Sequence, residues 1–151
     1  MESGGKAPDV FCSESISKGV FYKGRHSIAV VDIAPVMPGH TLVIPTRHVL
    51  DITELSAEEM GDIHLTLKKV TPIVLRIYGD SSMSYDITSQ IGEYSGMSVR
   101  HLHIHIIPRK KDDKYQSKQS VYDAIEHVER LPEKEYSRRV DLLRKELKWS
   151  E

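Results

Sequence analysis

Cysteine, net charge and long apolar runs are all scarce in this chain, and each shortage removes a class of function. Cys12 is the only cysteine among 151 residues, so no intrachain disulfide can form and no multi-cysteine zinc site can assemble. A reducing compartment suits such a chain. The 21 Lys and Arg residues nearly balance 22 Asp and Glu, leaving a formal net charge of −1. Bulk electrostatics therefore steers the chain neither to nucleic acid nor to an anionic membrane surface. No stretch approaches the length of a membrane span, and Met1 to Pro8 lack the apolar run of a secretory signal. Repeats and low-complexity tracts are absent too. The expectation is an intracellular protein, cytoplasmic with the nucleus also open, that binds neither nucleic acid nor membrane.

What is present suffices for one domain: 39% hydrophobic residues in a chain of this length can build a proper core. Residues 1–9 are expected to be a flexible terminus, and 10–151 a single domain with a helical extension at its end. Residues 20–23 and 27–33 read as strands joined by a turn through Gly24. Residues 41–44 make a third strand, entered through Pro38-Gly39 and closed by Pro45. Ser56 and Glu59 form a capping box ahead of a long helix that ends at Gly79. Its apolar stripe is Met60, Ile63, Leu67, Val70, Val74 and Ile77, opposite Asp62, Lys69 and Arg76. Pro72 should kink this helix or divide it in two. Residues 83–88 alternate loosely as a further strand, 109–120 read as a polar mobile loop, and 121–130 and 134–149 read as helices. The fold expected is α+β: about five strands, mostly antiparallel, with the long helix and the C-terminal helices on one face.

The most informative stretch is Val99-Arg100-His101-Leu102-His103-Ile104-His105-Ile106-Ile107-Pro108. Successive side chains of a strand point to opposite faces, so the three histidines share one face while Leu102, Ile104 and Ile106 line the other. Imidazoles two residues apart would stand roughly 6.6 Å from each other along the backbone, and Pro108 should end the strand. Two chemistries fit: a metal site built on a His-x-His pair, or nucleophilic attack on phosphorus by one imidazole with its neighbours assisting.

Just upstream, residues 90–98 read Gln90-Ile91-Gly92-Glu93-Tyr94-Ser95-Gly96-Met97-Ser98. Glycines allow close backbone approach, so N–H groups here could hold phosphate oxygens together with Ser98 Oγ and the Gln90 amide. An oxyanion cradle beside a nucleophile favours the second chemistry.

The run from Gly96, Ser98 and Val99 through the three histidines to Pro108-Arg109 resembles the signature of the histidine triad superfamily of nucleotide hydrolases and transferases. Asp32-Ile33-Ala34-Pro35-Val36-Met37-Pro38-Gly39-His40 with the strand after it is similar to that family's strand, Pro-Gly-His turn and strand. Gln90 and the tail with Ser120-Val121-Tyr122 resemble the fragile-histidine-triad branch, whose members hydrolyse dinucleoside polyphosphates. The resemblance spans roughly residues 10–128.

The resemblance implies a histidine-triad-like fold and a two-fold homodimer formed through the long helix and an edge strand. It implies that His103 attacks the α-phosphorus of a nucleotide substrate, with His105 assisting departure and His101 orienting its neighbours. It also implies that Phe11 packs on the base and Asp32 holds the ribose. His40 would support the site, and Gln90, Gly96, Met97, Ser98 and Val99 would surround the phosphates. No bound metal or cofactor is implied, although Mg²⁺ could accompany the substrate. Two departures stand out: Met97 replaces the family's usual Gln, and Ile91 and Glu93-Tyr94 replace its usual Asp, Pro and Glu. A nucleoside phosphoramidase, a nucleotide sensor with little turnover and a metal-dependent enzyme stay open as alternatives.

Overall fold

Turn residues set the strand boundaries. β1 (Val20–Lys23), β2 (Ser27–Val31) and β3 (Thr41–Pro45) form an antiparallel meander. The computed structural model describes residue 11, residues 14–116 and residues 118–150, so the flexible terminus expected over residues 1–9 lies outside it. β2 stops two residues earlier than the alternation predicts, because Asp32 Oδ1 accepts the Ala34 N–H at 2.8 Å and folds the chain into a turn. In the Pro-Gly-His turn that follows, Gly39 takes φ +90°. A Cβ there would lie 2.7 Å from Tyr78 Cβ and 3.0 Å from Pro108 Cγ, so both conformation and space demand glycine.

β4 (Ser84–Thr88) and β5 (Ile104–Arg109) complete a five-stranded sheet in the order β1-β2-β3-β5-β4, every neighbouring pair antiparallel. Residues directly paired across strands share a face. Val20, Val30, Leu42 and His105 therefore lie on one face, and Ala29, Val43 and Ile104 on the other. The second face is covered by α1 (Ala57–Tyr78), through Ile63, Val70 and Val74, and by α3 (Glu133–Glu146), through Val140 and Leu143.

α1 begins in the expected capping box, with Ser56 Oγ accepting the Glu59 N–H and Glu59 Oε1 accepting the Ser56 N–H. It runs unbroken for 22 residues with Pro72 inside it, so the division into two helices does not occur. Met60, placed on the core stripe by its spacing, is exposed instead, while Thr66 and Thr71 are buried. Asp62 is more than a solvated polar residue. Its carboxylate accepts the N–H groups of Arg25 (3.1 Å) and His26 (2.8 Å) and the Ser27 hydroxyl (2.7 Å), closing the turn between β1 and β2.

Three expectations are corrected in the last third. Pro108 does not end β5 but sits within it opposite Tyr85, where β3, which pairs only as far as Ile106, has already turned away. Segment 109–116 is pinned rather than mobile. Arg109 donates to Asp86, to Asp113 and to the Tyr115 carbonyl, and Asp113 accepts the N–H groups of Lys110 and Tyr115. α2 (Lys118–Ala124) starts and stops earlier than predicted. Its neighbourhood joins Val121 and Ile125 to Val36, Met37, Ile107 and Tyr115, and Ile107 shares the histidine face. The helices thus occupy both faces, not one. Among the described residues no helix is long and apolar enough to cross a membrane.

Candidate active site

The three histidines occupy one side of a short segment, only part of which is strand. β5 pairing starts at Ile104, so His105 is the one histidine of the three inside the ladder; His101 and His103 precede it. The cause lies opposite, where β3 ends at Pro45, a residue with no N–H to donate. The lead-in is held by other bonds: Leu102 N–H to the Val49 carbonyl at 2.7 Å and His101 N–H to the Val99 carbonyl at 2.9 Å. The result still follows the alternation. Leu102, Ile104 and Ile106 are buried in the core, and the His103 and His105 rings stand 5.0 Å apart on the other side, closer than an ideal strand would set them.

Hydrogen bonds assign the proton positions around the rings. A carbonyl can only accept, so His103 Nδ1, 2.7 Å from the His101 carbonyl, carries its proton there and its lone pair on Nε2. His101 Nε2 likewise donates to the Pro45 carbonyl at 2.9 Å. His40 Nδ1 accepts the Val36 N–H at 3.2 Å, which places the His40 proton on Nε2, and that nitrogen lies 2.8 Å from His105 Nδ1. His105 must accept there and carry its own proton on Nε2. This last N–H is buried and finds no acceptor among the described residues. One backbone amide thus sets the tautomer of two imidazoles in series.

Asp32 completes the group, with Oδ2 3.4 Å from His40 Nε2. Ligand atoms of Asp32, His40 and His105 all lie within 4.8 Å of one another, a spacing a metal ion could use. The donor chemistry argues otherwise. With Nδ1 committed to the Val36 N–H, His40 could offer Nε2 to a metal only by losing its remaining proton and becoming an imidazolate. The trio fits a proton relay.

Burial holds both His40 and His105 well below the ordinary imidazole range, and the neighbouring His103 pushes each the same way. Burial raises Asp32 from 3.8 to about 6 against the opposing Ala34 N–H. The pH dependence of stability follows from the signs. Below pH 6.5 the unfolded chain binds protons on both histidines while the folded protein does not, so stability is full above pH 6.5 and falls as pH drops. Asp32 acts in the opposite sense between pH 6 and 3.8, where only the folded form binds its proton. Two protons against one leave a net slope of about 1.4 kcal/mol per pH unit in that window. Asp32→Asn removes the opposing contribution, so between pH 6 and 4.5 the slope measured by urea unfolding should be steeper than the native one by about 1.4 kcal/mol per pH unit. Equal slopes in the two proteins would contradict this assignment of charges.

The other expected residues divide between this centre and the loop that leads into it. Phe11 meets His103 and His101 edge to face at 5.0 and 5.9 Å and packs beside Val20, Val30, Leu42 and Ile44. Gln90 lies beneath Gly96, where an added Cβ would come within 2.9 Å of Gln90 Nε2. Met97 and Val99 are half-buried in the same loop, and Gly96 and Ser98 are exposed. Two residues escaped the sequence reading. His48 packs its ring 4.8 Å from that of His101, and Ser89 Oγ donates to the His103 carbonyl at 2.8 Å. Ser89 adjoins Gln90 and so carried a usable signal; His48 carried none, because its approach depends on how residues 46–49 turn after β3.

Comparison with known proteins identifies the family and the fold. A family model described as the HIT domain matches residues 13–112. The chain is 35% identical over 119 residues to the asymmetrical bis(5'-nucleosyl)-tetraphosphatase of Schizosaccharomyces pombe, covering 79% of this chain and 64% of that protein. It is 37% identical over 107 residues to the bis(5'-adenosyl)-triphosphatase of Dictyostelium discoideum, covering 71% and 70%. The chain therefore spans a little under two thirds of the first relative's length. Among solved structures, a hypothetical histidine triad nucleotide-binding protein from Sulfolobus tokodaii superposes with a TM-score of 0.71 at 25% identity, covering 91% of each chain.

Proposed function

Because this chain belongs to the HIT domain family, we propose that it hydrolyses dinucleoside polyphosphates at the α-phosphorus. The observation that carries the reading is the pairing of tautomers: His103 has its lone pair on Nε2 and His105 its N–H on Nε2, on rings 5.0 Å apart. In the first step His103 Nε2 attacks the α-phosphorus, a P–N bond forms and the bond to the bridging oxygen breaks. The His105 N–H donates to the oxygen on which charge develops, in a buried place where such a bond is strong. Water then attacks the same phosphorus, the P–N bond breaks, and a nucleoside monophosphate is released. His101 acts through its carbonyl, which holds the His103 proton on Nδ1. Asp32 and Phe11 would take the ribose and base, with Gln90, Ser98 and the backbone of Gly96, Met97 and Val99 around the phosphates. Mg²⁺ would arrive with the substrate.

The same reading includes a homodimer and a cytoplasmic site of action. β4 is an edge strand, and its exposed Tyr85 and Ile87 pair with Pro108 and Ile106 on the α1 side of the sheet. Like the exposed Met60 and Leu65 of α1, they supply apolar surface of the kind a second copy would cover.

Purified protein should convert diadenosine triphosphate or tetraphosphate to AMP and the remaining nucleotide. Quenching at alkaline pH should leave AMP attached to His103, and in isotopic water the label should enter AMP. Label found only in the other fragment would sink attack at the α-phosphorus. Tight binding without turnover would favour the sensor.

A further inference from the structure

The loop between β4 and the histidines has both feet on the triad. Thr88 pairs with His105, Ser89 Oγ donates to the His103 carbonyl, and the Val99 carbonyl accepts the His101 N–H. Between those feet the chain closes on itself. Ser95 and Met97 both donate to the Gly92 carbonyl (3.2 and 3.4 Å), and Gly96 donates to that of Glu93 (3.2 Å). Gly92 and Gly96, at φ +89° and +88°, permit this compact turn. The turn holds up Tyr94, whose ring is 99% exposed. A large ring held clear of the protein on a tied loop, both ends of which are bonded to the triad, is a surface waiting for a flat partner.

Charge along the loop says what that partner is. Its only cation from residue 89 to 100 is Arg100, at the foot, while Glu93 stands next to Tyr94 at the tip. Phosphate belongs at the foot and is repelled at the tip, where a neutral aromatic ring is favoured. Five residues at about 3.3 Å each bring the tip no farther than about 17 Å from Ser89, a span of the order of a pyrophosphate bearing a nucleoside.

Resting on the hydrolase reading above, we infer that this loop is the leaving-group subsite and that Tyr94 is the platform on which the base of the departing nucleotide stacks. The half-buried Ile91 and Met97, each three residues from Tyr94, give the approach to it an apolar character. Tyr94 is a specificity residue: it touches neither the attacked phosphorus nor the nucleoside retained on His103.

The test compares diadenosine triphosphate with a triphosphate that carries adenosine at one end and a methyl group at the other. Stacking of one base on an aromatic side chain predicts that Tyr94→Ala raises KM for the dinucleotide about five- to tenfold with kcat within about twofold. The methyl-capped substrate should be unaffected, and Tyr94→Phe and Tyr94→Trp should restore the dinucleotide KM. Equal losses on both substrates would mean that Tyr94 only shapes the loop, and no change on either would mean that it touches nothing; both results overturn the inference. Binding of the α,β-methylene analogues of the two compounds gives the same comparison without turnover. A protein that hydrolyses neither compound would defeat the hydrolase reading, while the ratio of binding constants would still decide the role of Tyr94.

Discussion

Substituting Asn for His103 is expected to lower hydrolysis of diadenosine triphosphate by about 10⁴- to 10⁶-fold, the loss typical when a nucleophile is removed from a group that acts as a unit. Asn keeps a donor near the His101 carbonyl, which His103 Nδ1 now holds at 2.7 Å, so the lead-in to β5 retains an anchor. What disappears is the ring nitrogen with a lone pair facing the site. Dinucleotide binding should survive within about threefold, since the base, ribose and phosphate contacts come from other residues. Rapid alkaline quenching of this variant should trap no nucleotide on the protein. Hydrolysis near the native rate would remove His103 from the role.

His40→Asn should produce the second largest loss, on the order of 10²-fold in kcat with KM little changed. The reason is the chain of tautomers: the Val36 amide directs the proton of His40, and His40 directs that of His105. A shorter amide at position 40 does not bridge to His105 Nδ1, and His105 is then no longer held with its proton on Nε2. A proton donor that is wrongly protonated forfeits most of its contribution, typically 10² or more. The control is a leaving group that needs no donor. The p-nitrophenyl ester of AMP departs as a stabilised phenolate, so its turnover should fall by no more than about threefold. Equal losses on the two substrates would show that His40 merely supports the fold.

The fold was legible wherever local pattern decides it. β1, the capping box at Ser56 and Glu59, and the helix stop at Gly79 all follow from punctuation and spacing, and the structure places them as expected. The face assignment of the histidines was legible too, because alternation survives even where the ladder does not. What escaped depends on partners distant in sequence. The early end of the β3 to β5 ladder is set by Pro45, and Arg109, which ties segment 109–116 together through the local Asp113, is anchored in turn by a distant carboxylate on β4, Asp86. The relay joins residues 65 positions apart, and nothing in the local sequence of either says which nitrogen carries the proton. His48 reaches His101 through a turn whose course no periodicity describes.

The bonds made by Asp62 have a bearing on how the molecule opens. A two-stranded ribbon alone is at best marginal, and the turn between β1 and β2 draws two amides and one hydroxyl onto a carboxylate of α1. Ser27 adds a second tie, to the buried Thr66 hydroxyl one helical turn further along. The hairpin cannot fray while the helix stays docked, and the helix cannot lift without leaving a row of polar groups stripped of partners. Hairpin and helix should therefore open as one cooperative unit, with their backbone amides exchanging with solvent together.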